Sequence, residues 1–214
     1  MKYPLVIFDL DGTILDTLED LKISLNAALS ACGYPERTLS EVRSFVGNGL
    51  YRLMVLSTPP ETSEEEIQRV LAAFNAHYKI HCADHTRPYR GILELICDLR
   101  KKGHKTAVVS NKADYAVQDL CKQYFDGLFD FAVGERTGVR KKPAPDSVNE
   151  VLHTLNFPRA EAVYVGDSEV DIETAKNAGL PCIVVTWGFR DESFLRERGA
   201  EILVSAPEEI LEII

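Results

Sequence analysis

The apolar run from Tyr3 to Phe8 stops abruptly at Asp9, with the length and density of a strand buried on both faces of a parallel sheet. The period then changes. Leu18, Leu21, Leu25, Ala28, Leu29 and Cys32 recur at helical spacing up to Gly33, which suits a helix stop. A second long helix is predicted from Ser63 to about Cys82, with Ser63–Glu66 as a capping box and Ile67, Val70, Leu71, Phe74 and Tyr78 as its apolar stripe. No strand is predicted between residues 14 and 86. Beyond Pro88 helices and strands alternate: helix 91–102, strand 105–109, helix 114–124, strand 131–133 and helix 146–156. Strand 162–165, helix 169–178, strand 182–186 and a short strand at 202–204 complete the series.

Such alternation is the arithmetic of βαβ units and predicts an α/β fold with a doubly wound, Rossmann-like parallel sheet. The core is assigned to residues 1–13 and 87–214, and an all-helical segment, residues 14–86, is inserted after the first strand. No internal repeat or low-complexity tract interrupts the pattern.

Composition narrows the partners. At 214 residues and 45% hydrophobic content the chain can bury a sizeable core, and its formal charge of −9 argues against a nucleic-acid or anionic-membrane surface. A phosphorylated ligand would therefore need locally placed cations. Cys32, Cys82, Cys97, Cys121 and Cys182 are odd in number and form no CxxC pair, which suits reduced thiols serving mainly as core filler. The first apolar stretch is cut by Asp9 and Asp11, too early for a signal sequence, and no later run approaches a membrane span. The expected location is the cytoplasm, and the expected state a monomer or a homodimer.

Candidate chemistry collects where the predicted strands end. Open α/β sheets bind ligands at the carboxyl ends of their strands, so Asp9 and Asp11 face a crevice, and Gly12 lets the chain turn beside them. Two carboxylates this close repel unless a cation or a shared proton intervenes. The economical inference is that one attacks, the other moves protons, and a divalent metal holds the cluster together. The strand at 105–109 delivers Ser110 and Asn111, and the loop before helix 146–156 carries Lys142 between Lys141 and Pro143. The strand at 162–165 delivers Asp167 and then Asp171, four residues on across a helix start, so that both can face one point. Hard oxygen donors in this number suit Mg2+. Ser110 can donate a hydrogen bond to phosphoryl oxygens, and Lys142 can supply a point charge on a loop stiffened by Pro143 and Pro145.

Asp9–Leu10–Asp11–Gly12–Thr13, then Ser110, then Lys142–Pro143, then Gly166–Asp167–Ser168–Glu169–Val170–Asp171 resemble, in this order, the four motifs of the haloacid dehalogenase superfamily. That resemblance implies that Asp9 is a nucleophile forming an aspartyl-phosphate and that Asp11 protonates the leaving oxygen and later activates water. It implies a Mg2+ site made of Asp9, Asp167 and the backbone carbonyl of Asp11, with Asp171 supporting the metal's waters. It further implies that Ser110 and Lys142 clamp the phosphoryl group, with Thr13 and Asn111 beside it, and that residues 14–86 form a helical cap that closes over the site and excludes water. Within the cap, Val42–Leu50 resembles phosphoglycolate phosphatases. Gly47, Asn48 and Gly49 permit a tight turn there, and Arg43 or Arg52 can meet a small substrate's carboxylate bidentately. The usual Pro-Tyr-Pro-Gly linker is Pro88–Tyr89–Arg90–Gly91 here.

The resulting expectation is a Mg2+-dependent phosphomonoester hydrolase acting on a small phosphorylated metabolite, with 2-phosphoglycolate foremost. The rival enzyme is a sugar phosphomutase of the β-phosphoglucomutase kind, against which Gly166–Asp167–Ser168 followed by Asp171 stands. A signalling receiver module shares the aspartate, hydroxyl and lysine, but carries its aspartate on the third strand and has no helical insert. Three bland assignments complete the reading. His77, His81 and His85 lack the motifs of a zinc site and suit a solvated helix end, Glu64–Glu66 suit a cap, and Trp187 suits packing.

Overall fold

The computed structural model describes Lys2–Ile214. In chain order the first elements are β1 (Leu5–Phe8), β2 (Leu15–Asp16), α1 (Leu18–Ala31), α2 (Leu39–Phe45), α3 (Leu50–Ser57), α4 (Glu64–His81) and β3 (Arg87–Pro88). There follow α5 (Ile92–Lys101), β4 (Lys105–Ala113), α6 (Asp114–Phe125), β5 (Phe131–Glu135), α7 (Asp146–Leu155) and β6 (Ala162–Gly166). The chain closes with α8 (Glu169–Ala178), β7 (Cys182–Val185), α9 (Glu192–Glu197), β8 (Ile202–Val204) and α10 (Pro207–Ile213).

Two compact units divide these elements, one comprising the segment up to Leu15 with Pro88–Ile214 and the other Asp16–Arg87. The first crossing falls after residue 15 rather than after 13 because the Gly12–Thr13 turn closes back on the core. Ile14 and Leu15 both donate their N–H groups to the Leu10 carbonyl.

In the first unit a six-stranded sheet runs in the order β5-β4-β1-β6-β7-β8. Every pairing is parallel. β1 lies between β4 and β6, with Phe8 level with Val108 on one side and Val165 on the other. Helices cover the sheet, so strand residues are apolar on both faces, and Leu5, Val6, Ile7 and Phe8 are all fully buried. Each such side chain contributes roughly 1.5–3 kcal/mol on leaving water. Leu5, Ile7, Ala107, Val109 and Tyr164 share one core cluster with Val148, Val151 and Ala175 from α7 and α8. That packing makes β1 the rigid base from which Asp9 projects.

β4 departs from the expected strand. It continues past Val109 to Ala113, with a register shift against β5 between those two residues, so Ser110, Asn111 and Lys112 occupy an irregular strand segment instead of a loop. Bulges of this kind re-aim side chains.

The second unit is helical except at its two ends, where Asp16 belongs to β2 and Arg87 to β3; the stretch 14–86, predicted without a strand, thus holds one of two residues, too short to leave an alternating pattern. The box on α4 forms as predicted: Ser63 Oγ accepts the Glu66 N–H at 3.3 Å, and the Glu66 carboxylate accepts the Ser63 N–H at 3.2 Å. Thr38 and Glu41 form the same device on α2. Asp20, buried on α1, accepts the N–H groups of His85 and Thr86 and the Thr86 hydroxyl, fastening the returning chain to α1. His81 Nδ1 sits 2.7 Å from Asp84 Oδ2 at the end of α4, whereas His77 Nδ1, one turn earlier, lies 3.0 Å from Ser24 Oγ on α1 and so joins two helices instead of facing solvent. No helix among the described residues is long and apolar enough to cross a membrane.

Candidate active site

The carboxyl edges of β1, β4 and β6 carry the polar groups of the first unit. Asp9 follows Phe8 directly and donates its N–H to the Val165 carbonyl at 2.9 Å, extending the ladder by one residue and fixing where its carboxylate starts. Asp9, Asp167 and Asp171 are all buried, and one carboxylate oxygen of each lies within 4.8 Å of the others.

Glycines make this crowding possible. Gly12 has φ +81°, and a side chain there would collide with the Asp167 carboxylate; one at Gly188 would meet the same group from another side. Asp167 Oδ1 accepts the Thr13 hydroxyl at 3.1 Å, and Oδ2 accepts the Phe189 N–H at 2.7 Å. Trp187, expected as packing, also donates its indole N–H to the Thr13 carbonyl at 3.0 Å and so pins the turn that holds Thr13.

Asp171 closes the start of α8. Its Oδ2 accepts the Ser168 hydroxyl at 2.6 Å and the Ser168 N–H at 3.1 Å, as an N3 residue reaching back to its cap does. Its Oδ1 accepts from Lys142 Nζ at 2.8 Å and from the Tyr164 hydroxyl at 3.2 Å. Lys142 is buried, with Nζ also 2.8 Å from Asp9 Oδ1 and 3.1 Å from Tyr164 Oη. The Asp9 contact is an ion pair, and the buried Asp9 Oδ1 has no hydrogen-bond partner among the described residues. Asn111 grips the Lys142 backbone from both sides: its Oδ1 accepts the Lys142 N–H at 2.8 Å and its Nδ2 donates to the Lys142 carbonyl at 3.1 Å. Ser110 is buried beside it and accepts the Lys112 N–H at 3.2 Å.

Asp11 stands apart from the three-acid cluster. Its two oxygens lie 2.8 and 3.0 Å from the ammonium of Lys112, a buried group outside the sequence motifs. Tyr164 and the Phe189 N–H also lie outside the sequence motifs, whereas Ser168 falls within the fourth. Tyr164 was legible only as a strand residue, because its hydroxyl meets Lys142 through the fold rather than through spacing. Arg43, Gly47, Asn48, Gly49 and Arg52 belong to the helical unit. Arg43 is half-buried on α2, Gly47 and Gly49 have φ +111° and +82°, and Arg52 is exposed in the first turn of α3.

The charge balance is informative. Four carboxylates meet two ammonium groups, Lys112 and Lys142, so two negative charges remain uncompensated when all are ionised. Burial drives the Asp9 pKa up from 3.8 to about 7 against the pull of Lys142, with the Asp171 charge adding to the rise. Burial, then the charges of Asp171 and Asp9, also hold Asp167 well above the ordinary carboxylate range. Burial works against the Lys142 ammonium, but Asp171 and Asp9 outweigh it and keep its pKa well above that of a free lysine. Three buried carboxylates strained by mutual repulsion, one with an oxygen lacking a donor, fit a hard divalent cation whose preferred ligands are oxygens.

Residues 6–185 match the family described as haloacid dehalogenase-like hydrolase. A phosphoglycolate phosphatase of Aquifex aeolicus is 33% identical over 189 residues, spanning 86% of this chain and 85% of that protein. A crystal structure from Lactobacillus delbrueckii subsp. bulgaricus, provisionally assigned as a phosphoglycolate phosphatase, matches with TM-score 0.96 at 42% identity, covering 100% of this chain and 99% of that one. CbbY from Rhodobacter sphaeroides, crystallised in complex with phosphate, matches with TM-score 0.74 at 25% identity over 97% of this chain and 96% of its own.

Proposed function

The chain belongs to the haloacid dehalogenase-like hydrolase family and is a phosphatase, and from that footing we propose that it hydrolyses 2-phosphoglycolate through an aspartyl-phosphate on Asp9. The observation that carries the site assignment is the buried Asp9–Asp167–Asp171 cluster at the end of the central strand, with Lys142 Nζ against two of the three acids. The relatives' names support the substrate.

Asp9 attacks phosphorus as the ester P–O bond breaks, and Asp11 gives its proton to the departing oxygen. Water then attacks the phosphorus of the acyl phosphate. Asp11, now a carboxylate, takes a proton from that water, which frees Asp9 and inorganic phosphate. Ser110 offers its hydroxyl proton to a phosphoryl oxygen while its oxygen accepts the Lys112 N–H, and Lys142 opposes the charge on the phosphoryl group. Asn111 serves through Lys142, whose backbone it holds, and Thr13 through Asp167.

Asp9, Asp167 and the Asp11 backbone carbonyl would hold Mg2+, with Asp171 outside them as a support. When bound, the cation neutralises the clustered carboxylates and polarises the phosphoryl oxygens. The Asp16–Arg87 unit is read as a cap, with Arg43 or Arg52 meeting the substrate carboxylate near Gly47–Gly49, and the enzyme as cytoplasmic.

Initial rates with Mg2+ on phosphoglycolate, phosphosugars and nucleotides test the reading. It expects the highest kcat/KM for phosphoglycolate. A preference for phosphosugars, or phosphoryl return to a sugar instead of release, overturns it.

A further inference from the structure

Lys112 has no part in the chemistry just described, yet it is among the most enclosed charges in the protein, its side chain 3% exposed. Burying an ammonium is costly unless it is paired, and its partner is Asp11, whose two oxygens it meets at 2.8 and 3.0 Å. The surrounding backbone is built to bring it there. β4 shifts register against β5 between Val109 and Ala113, turning Lys112 toward β1. Gly134 on β5 lies against that segment, where a Cβ would strike the Lys112 carbonyl and the Asp114 backbone. The Gly134 N–H donates to Asp114 Oδ1 at 2.8 Å, clasping the far end of the irregular segment, while the Lys112 N–H donates to Ser110 Oγ at 3.2 Å and ties its near end.

We propose that Lys112 is a positioning residue for Asp11, holding both carboxylate oxygens so that the proton-transfer group has one orientation when substrate binds. The proposal rests on the phosphatase reading and adds to it a residue from the β4 irregularity. A single ammonium bridging both oxygens fixes the twist of the carboxylate as well as its place, and proton transfer is sensitive to errors of about 1 Å. In this role Lys112 acts through Asp11, so its contribution must appear only where Asp11 is needed.

The test compares wild type, Lys112→Met, Lys112→Arg, Asp11→Asn and the Lys112→Met/Asp11→Asn double variant. Each is assayed with Mg2+ on phosphoglycolate, whose alkoxide leaves poorly, and on an activated aryl phosphate, whose phenolate leaves unaided. Lys112→Met is expected to lower kcat/KM on phosphoglycolate by about 10–10²-fold and on the aryl ester by no more than about threefold. Lys112→Arg should recover part of the phosphoglycolate rate, and adding Lys112→Met to Asp11→Asn should cost nothing further. Equal losses on both esters, an additive double variant, or a gain on phosphoglycolate would each overturn the positioning role. If Lys112→Met does not fold, Lys112→Arg decides alone: a loss confined to phosphoglycolate supports the role, and equal rates or equal losses on the two esters overturn it. A wild-type chain that hydrolyses neither ester defeats the phosphatase reading and the positioning role with it.

Discussion

Stripped of metal, the protein should lose stability as pH rises from 5 to 7. Burial, partly offset by Lys142 and reinforced by Asp171, lifts Asp9 from 3.8 to about 7. Between those values the folded chain keeps a proton that the unfolded chain has released, so stability falls with rising pH. The contribution is fully present below pH 3.8 and lost as pH climbs through about 7. Each pH unit inside that window is worth about 1.4 kcal/mol, so the step from pH 5 to pH 7 removes about 2–3 kcal/mol. Asp167, raised by burial and by the charges of Asp171 and Asp9, pushes the same way. Glu41 and Glu66, lowered from 4.5 chiefly by hydrogen bonds from Thr38 and Ser63, act in the opposite sense, and their contribution is lost only as pH falls below that value. The window above pH 5 therefore belongs to the buried acids. Urea unfolding of wild type and Asp9→Asn in EDTA, and of wild type in Mg2+, measures it at pH 5, 6 and 7. Wild type should decline, Asp9→Asn should decline less, and Mg2+ should stabilise more at pH 7 than at pH 5 because it competes with fewer protons. Flat or rising wild-type stability in EDTA, or an equally steep decline in Asp9→Asn, refutes the reasoning.

Two activity predictions follow from the division of roles. Asp11→Asn should lower kcat/KM for phosphoglycolate on the order of 10²-fold more than for an activated aryl phosphate, and equal losses in kcat/KM would make Asp11 a residue of fold or metal geometry. Arg43→Ala or Arg52→Ala should lower kcat/KM for phosphoglycolate by about 1.5–3 kcal/mol while sparing the aryl ester, and full preference retained in both single variants and in the double variant would remove the cap arginines from the account.

Much of the core was legible because its signals are local. β8 and α8 were bounded by apolar periodicity and a Gly179 stop, and Ser63 with Glu66 announced α4. α2 and α3, of seven and eight residues, are too short to establish a helical period, although Thr38 followed by Glu41 carried the same cap signal as Ser63 and Glu66. β4 runs past its predicted end because Ser110, Asn111 and Lys112 are polar, and a polar run reads as a strand's limit. Those residues are buried by the fold around them, not by their own character. Asp9, Lys142, Asp167 and Asp171 were visible as motif residues, whereas the pairing of Asp11 with Lys112 spans 101 residues and leaves no spacing to read. Tyr164 was hidden differently. It looks like an ordinary strand residue until β6 lies beside β1 and its hydroxyl reaches Lys142 and Asp171.

The central claim is that the carboxylate of Asp9 carries the phosphoryl group, and chemical trapping tests it most directly. Turnover with phosphoglycolate and Mg2+ would be quenched, the protein reduced with borohydride, and the peptide containing Asp9 sequenced by mass spectrometry. An acyl phosphate on Asp9 is reduced to homoserine at that position, and the account predicts homoserine at residue 9 only when substrate is present, with none in Asp9→Asn and no turnover by that variant. Homoserine at another aspartate, or turnover by Asp9→Asn at the wild-type rate, would contradict it.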